Sequence, residues 1–557
     1  MGQEFASAYP AIAPMLAERG GDPDVERLLE GVAFLTGRIR QKLDDEFPEI
    51  THGLMNLLWP HYLRPIPSFS LIEFTPTRLL GEKQLIPRGT EVASIPIDGT
   101  ACRFRTCYDV TLSPLAIEEV AIQTLPSGQS ALRVSFKVSP GGTGGTHGPL
   151  RFHLHGEQSA LILYLWINRY LSEVQVRRQG QPNSPIRINP RQVTPVGFSK
   201  EEALIPYPRT AFDGYRLLQE YFIFPEKFLF FDLPEFHTTE PFEIYFIFSK
   251  IVPASVRVSK DNLRLHCTPV VNLISMESEP IRVTHERLEY LIRPEGKSGN
   301  THYEVYSVDG AQGWIRGTSE KQPYLPFYSF TMGAGQEGEN YYQTRLQKAV
   351  VGERVDTWVS FVNRAQKSVI PPTETIVFDL TCTNRDLTRQ LRVGDIKAPT
   401  AHSPEFAQFK NFTRITLPIR PFEQDDLYWR LLSHLSLNFL SLSDAEAFRG
   451  ILKLYTFQSL SESGLANARR MDGIIEIKNA QKERLFHGIP VRGILTTMGV
   501  KEEAFINEGD IFLFGTILNE FIALYAALNS FSELQIKGVT KGETYQWPAR
   551  IGCQQIL

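Results

Sequence analysis

His153 and His155 stand two apart in LRFHLHG, a stretch whose alternation predicts a strand and so puts both imidazoles on one face. Two histidines so placed make half of a metal site, but a site needs three or four ligands. No acidic or cysteine partner stands nearby in sequence, so ordinary strand histidines are expected. The glycine run over 141–148 lacks the Gly-Lys-Ser/Thr ending of a phosphate loop and does not complete GxGxxG, which leaves a hairpin loop. CTNRDL (382–387) sets Asn384, Arg385 and Asp386 after a strand, and short polar side chains there predict a turn bonded to its local backbone. Of the carboxylate pairs, Asp44-Asp45 closes a helix, and Asp425-Asp426 opens one, where negative charge complements the dipole. The five cysteines, Cys102, Cys107, Cys267, Cys382 and Cys553, form no CxxC and read as reduced structural thiols. Cys102 and Cys107, five apart, fall on opposite faces of a strand. No GxSxG, HExxH, kinase or EF-hand pattern occurs. The expectation is a chain with no catalytic residue, no cofactor and no metal.

The elements carry more information than these residues do. PYPRTAFDGYRLLQEYFIFPEKFLFFDL (206–233) gathers Tyr207, Phe212, Tyr215, Tyr221, Phe222, Phe224, Phe228, Phe230 and Phe231. So much rigid apolar surface suits burial in a core or against another protein. Residues 22–47 predict a helix, with Asp22 as N-cap and Pro23 at the first position. Val25, Leu28, Val32, Leu35, Ile39 and Leu43, then Phe47, line one face at a 3-4 spacing. Covering that stripe is worth about 10–20 kcal/mol gross, so it packs on this chain or on another. A short second helix is expected over 49–59, stopped by Pro60, Pro65 and Pro67.

The fold class expected is α+β and multidomain. Residues 1–67 form an N-terminal helical region, 68–255 a β-rich domain with helices near 157–170 and 210–221, and 256–424 a second β-rich domain and linker. Within the second β-rich domain, 317–345 reads as a Gly- and polar-rich loop. Residues 425–557 form a C-terminal α+β domain. There, one or two helices over 425–457 precede a β-α-β unit whose helix lies near 510–529. Phe521, Tyr525 and Phe531 make this unit a second candidate contact region, with core burial favoured for those aromatics.

At 557 residues the chain exceeds one core, and 42% hydrophobic content is that of a globular protein. A net charge of −4 gives no case for nucleic acid. The N-terminus lacks a basic region followed by an apolar one, and the apolar window 510–528 carries Asp510, Asn519 and Glu520. A secretory signal and a membrane span are therefore not expected. Glycosidase carboxylates are not readable from spacing, so one competing expectation stays open. It is a large β-rich hydrolase or carbohydrate-binding protein stacking sugars on Trp166, Trp314 and Trp358.

Ten segments along the chain resemble the TssF family (also called VasA or ImpG), baseplate subunits of the bacterial type VI secretion system. Among them are DVERLLEGVAFLTGRIRQKLDDEFPEIT (24–51), LLWPHYLRPIPSF (57–69), CRFRTCYDVTLSPL (102–115), GYRLLQEYFIFPEKFLFFDL (214–233), CTNRDL (382–387), WRLLSHLSLNFLSL (429–442) and NSFSEL (529–534). None is a catalytic motif. The resemblance implies a non-enzymatic wedge subunit of a cytoplasmic, phage-like baseplate docked at the inner membrane. Its implied partners are a TssG-like subunit, a second copy of itself, TssK, TssE and the VgrG hub, and its implied role is to template tube and sheath assembly. With that resemblance, the stripe from Val25 to Leu43 becomes the expected inter-subunit helix face.

Overall fold

The computed structural model describes residues 31, 32, 34–36, 55, 62–77, 82–138, 145–178, 181–207, 213–238, 241–253, 256–284, 287–296, 299–315, 321–327, 340–349, 355–363, 374–420, 444–456, 462–486, 488–524, 526 and 530–552. Strands dominate because β-branched and aromatic residues recur at every second position, which suits a pleated, half-buried surface. A six-stranded sheet runs in the order Ile396–Ala398, Glu91–Ile97, Thr100–Thr106, Cys267–Val271, Phe69–Pro76, Ala407–Asn411. Its Phe69–Pro76 strand is flanked by two sequence-distant strands, with Leu71 opposite Pro269 and Phe74 opposite Phe409. The boundary expected at 255/256 therefore cuts through one sheet. Such pairing of distant segments leaves no local trace in sequence. The expected linker likewise supplies an edge strand, Ala407–Asn411.

A five-stranded antiparallel sheet joins Gln181–Ile188, Leu171–Arg178, Phe242–Phe248, Ser130–Val138 and Leu115–Thr124. A four-stranded one joins Thr194–Pro195, Phe230–Leu233, Leu150–Leu154 and Leu263–Leu265. The end of the glycine run is strand, not loop: Gly145–His147 pairs with Phe236–Thr238. An eight-stranded sheet follows, with Glu374–Thr383 and Glu304–Ile315 at its centre. Ser278 bridges to Pro294, and Glu279 N–H donates to Arg293 O, so the two ends of this sheet approach one another. Lys321–Pro326 and Asn340–Lys348 are neighbouring parallel strands in it, where a loop was expected.

The longer helices of the frame, among the described residues, are α1 (Glu157–Arg169), α2 (Asp213–Ile223), α3 (Ala445–Lys453), α4 (Glu462–Asp472) and α5 (Glu508–Ala523). Only α3 of the helices expected over 425–457 falls on described residues, and α4 was not expected. The β-α-β unit is realised: Ile489–Val500 runs parallel to Ser530–Gly538, and α5 connects them. The hairpin Ile474–Phe486/Ile489–Val500 extends this C-terminal sheet.

One large core takes side chains from Met55 to Trp547 and ties the C-terminal sheet to the middle sheets through α1, α2 and α5. The close approach of α5 to α1 depends on a glycine. A Cβ on Gly509 would lie 2.0 Å from Leu161 O. Asn507 caps α5 by accepting from Asp510 N–H, and Asp510, 1% exposed, pairs with Arg470 at 2.9 Å. These groups explain why so apolar a helix lies in a protein core. No helix among the described residues is long and apolar enough to cross a membrane.

Candidate assembly interface

Of the expected interface stripe, Val32 and Leu35 are described, and Val25, Leu28, Ile39 and Leu43 lie outside the described residues. Residues 31, 32 and 34–36 are helical. Val32 is 51% exposed, Leu35 61% and the intervening Phe34 64%. A Cβ on Gly31 would meet nothing within 4 Å. Val32, Phe34 and Leu35 are thus large apolar side chains exposed on described helical residues.

The C-terminal aromatics differ. Phe521 is fully buried, its ring 5.7 Å from that of Tyr215 on α2 and 6.5 Å from that of Phe448 on α3. Phe531 is 1% exposed and lies across Gly493, where a Cβ would come 2.4 Å from its ring. Its outer neighbour is Phe486, with ring centroids 5.6 Å apart. Both are consumed by the chain's own core and offer no surface to a partner, which corrects their place among the interface candidates. Tyr525 lies outside the described residues.

From Tyr215 to Phe231 the aromatics of that stretch are buried too, and they hide charges that composition did not flag. Arg216 and Glu220, one helical turn apart on α2, are 3% and 1% exposed, and Lys227 is fully buried. Glu220 Oε2 accepts from Arg216 Nη1 at 3.1 Å and from Lys227 Nζ, while its Oε1 accepts from Leu204 N–H at 2.7 Å. Lys227 Nζ also donates to Glu202 O at 3.0 Å, and Arg216 Nη2 to Phe198 O at 3.0 Å. Burial pushes the Lys227 ammonium below its ordinary range, against the pull of Glu220. The node thus holds two basic side chains against one carboxylate. The i, i+4 spacing of Arg216 and Glu220 inside an otherwise apolar helix was the available signal.

CTNRDL makes the expected local turn, with Leu387 N–H donating to Asn384 O at 3.2 Å and Arg385 N–H to Thr383 Oγ1 at 3.3 Å, and it also bonds across the fold. Asn384 N–H donates to Asn272 Oδ1 at 2.7 Å, and Asn272 Nδ2 donates to Asn384 Oδ1 at 2.8 Å and to Arg103 O at 2.7 Å. Both amides are at most 1% exposed. They staple the six-stranded sheet to the end of the eight-stranded one. Arg385 follows with φ +50, and Asp386 pairs with Arg389 and Arg420.

His153 and His155 do share a face, with ring centroids 6.1 Å apart. His153 is 1% exposed and packs on Phe230, and burial pushes its imidazole well down. Among the described residues no three His, Cys, Asp or Glu side chains converge as metal ligands. Cys102 and Cys107 point into different cores, as their spacing requires, and burial raises both thiols, Cys102 to about 11. Trp166, one of the three sugar-stacking candidates, is buried against Phe248.

Several sheets interlocked through sequence-distant strands and joined by one large core define a class: a large, β-rich, multi-sheet subunit. The chain belongs to the TssF family of the type VI secretion system, whose family model, "Type VI secretion system, TssF", matches residues 1–554. It is 30% identical to "Type VI secretion system component TssF1" of Pseudomonas aeruginosa, over 100% of this chain and 97% of that protein. It is similar, with a TM-score of 0.78 and 34% identity, to a chain in a structure of the type VI secretion system TssK-TssF-TssG baseplate subcomplex. That match covers 94% of this chain and 98% of the other. A chain of the baseplate complex from the type VI secretion system matches at TM-score 0.63 and 32% identity, over 100% and 97%.

Proposed function

We propose that the chain is a structural wedge subunit of a type VI secretion baseplate, holding TssG-like and TssK-like subunits in fixed relation and catalysing no reaction. The observation that carries this reading is the near end-to-end likeness to a chain of the TssK-TssF-TssG baseplate subcomplex. A scaffold needs stiffness, and the shared core from Met55 to Trp547 supports it by leaving few planes along which the described parts could slide. It also needs an adhesive surface, and Val32, Phe34 and Leu35 supply one. In the wedge, two copies of this chain join one TssG-like subunit, with TssE and the VgrG hub as further neighbours. The work is cytoplasmic, at the inner-membrane-docked baseplate, and templates tube and sheath assembly.

Light scattering after size exclusion tests this, on the chain alone and co-expressed with its TssG-like and TssK-like neighbours. A complex with two copies of this chain per TssG-like subunit is the expected result. A chain that stays monomeric beside both neighbours overturns the reading.

A further inference from the structure

We draw no further inference here: the strongest candidate, the outer edge of the C-terminal sheet along Ile474–Phe486 with Leu485 and Ile489 exposed at the hairpin tip, has no strand beyond it among the described residues, and nothing in the structure shows what covers it.

Discussion

At the scale of single residues, the buried ionisable groups matter most. Among the described residues, Glu220 is the only carboxylate bonded to Arg216 and Lys227, all three nearly or fully inaccessible. Glu220→Gln keeps the shape but strands two basic groups. It should lower the unfolding free energy by about 3–5 kcal/mol in urea titration, and a loss under about 1 kcal/mol would show that the node is not ionic. His266 gives a pH dependence. Its Nε2 meets Ser113 N–H at 3.2 Å and Ser113 Oγ at 3.0 Å, and burial pushes the imidazole down to about 4. An unfolded histidine titrates near ~6.5, so the neutral form's stabilisation is complete above that pH. It drains away as pH falls from ~6.5 to about 4, by at most about 3 kcal/mol. Asn tolerates the φ of +58 at this position, so His266→Asn should flatten that part of the acid-unfolding profile. Parallel profiles for the two proteins would sink the assignment.

At the scale of elements, two helices make opposite predictions. The helical residues around Leu35 are exposed, so Leu35→Asp should leave the isolated chain's melting curve within the small change usual for surface sites and abolish co-purification with the TssG-like subunit. A variant that unfolds would instead place Leu35 in the chain's own core. At the crossing of α5 over α1 there is no such freedom. Gly509→Ala would press a methyl onto the Leu161 backbone, which cannot rotate away. It should cost about 1–3 kcal/mol or more in chemical denaturation, and a neutral result would mean that the two helices can separate freely. The C-terminal β-α-β unit shows why some elements were legible. Ile489–Val500, α5 and Ser530–Gly538 each carry a strong period and a clear boundary, and a right-handed crossover is the ordinary way to join parallel neighbours.

At the scale of the whole molecule, interleaving decides behaviour. The Phe69–Pro76 strand sits between Cys267–Val271 and Ala407–Asn411, and α2 packs under α5. A fragment ending at residue 255 would expose both edges of that strand and the face of α2. It should be insoluble or lack a cooperative melt by circular dichroism. A soluble, cooperatively folded fragment would refute the shared core.

The sequence by itself determined the identity and position of most strands, helices α1, α2 and α5, the buried cysteines and the family. Those follow from local periodicity, capping and ordered short segments, all of which are written along the chain. It left the partners of each strand undetermined, because Phe69 and Val271 carry no mark of their pairing. The Asn272–Asn384 staple looked like a local turn for the same reason: hydrogen-bonding capacity is readable, but the partner is not. Of the charge node inside the aromatic stretch, only the i, i+4 spacing of Arg216 and Glu220 was visible, and the place of Lys227 in it was not. Only the tertiary structure decided that Phe521 and Phe531 are interior and that Val32 and Leu35 are surface. Burial is a property of what the rest of the chain does around a residue, and no window of sequence contains it.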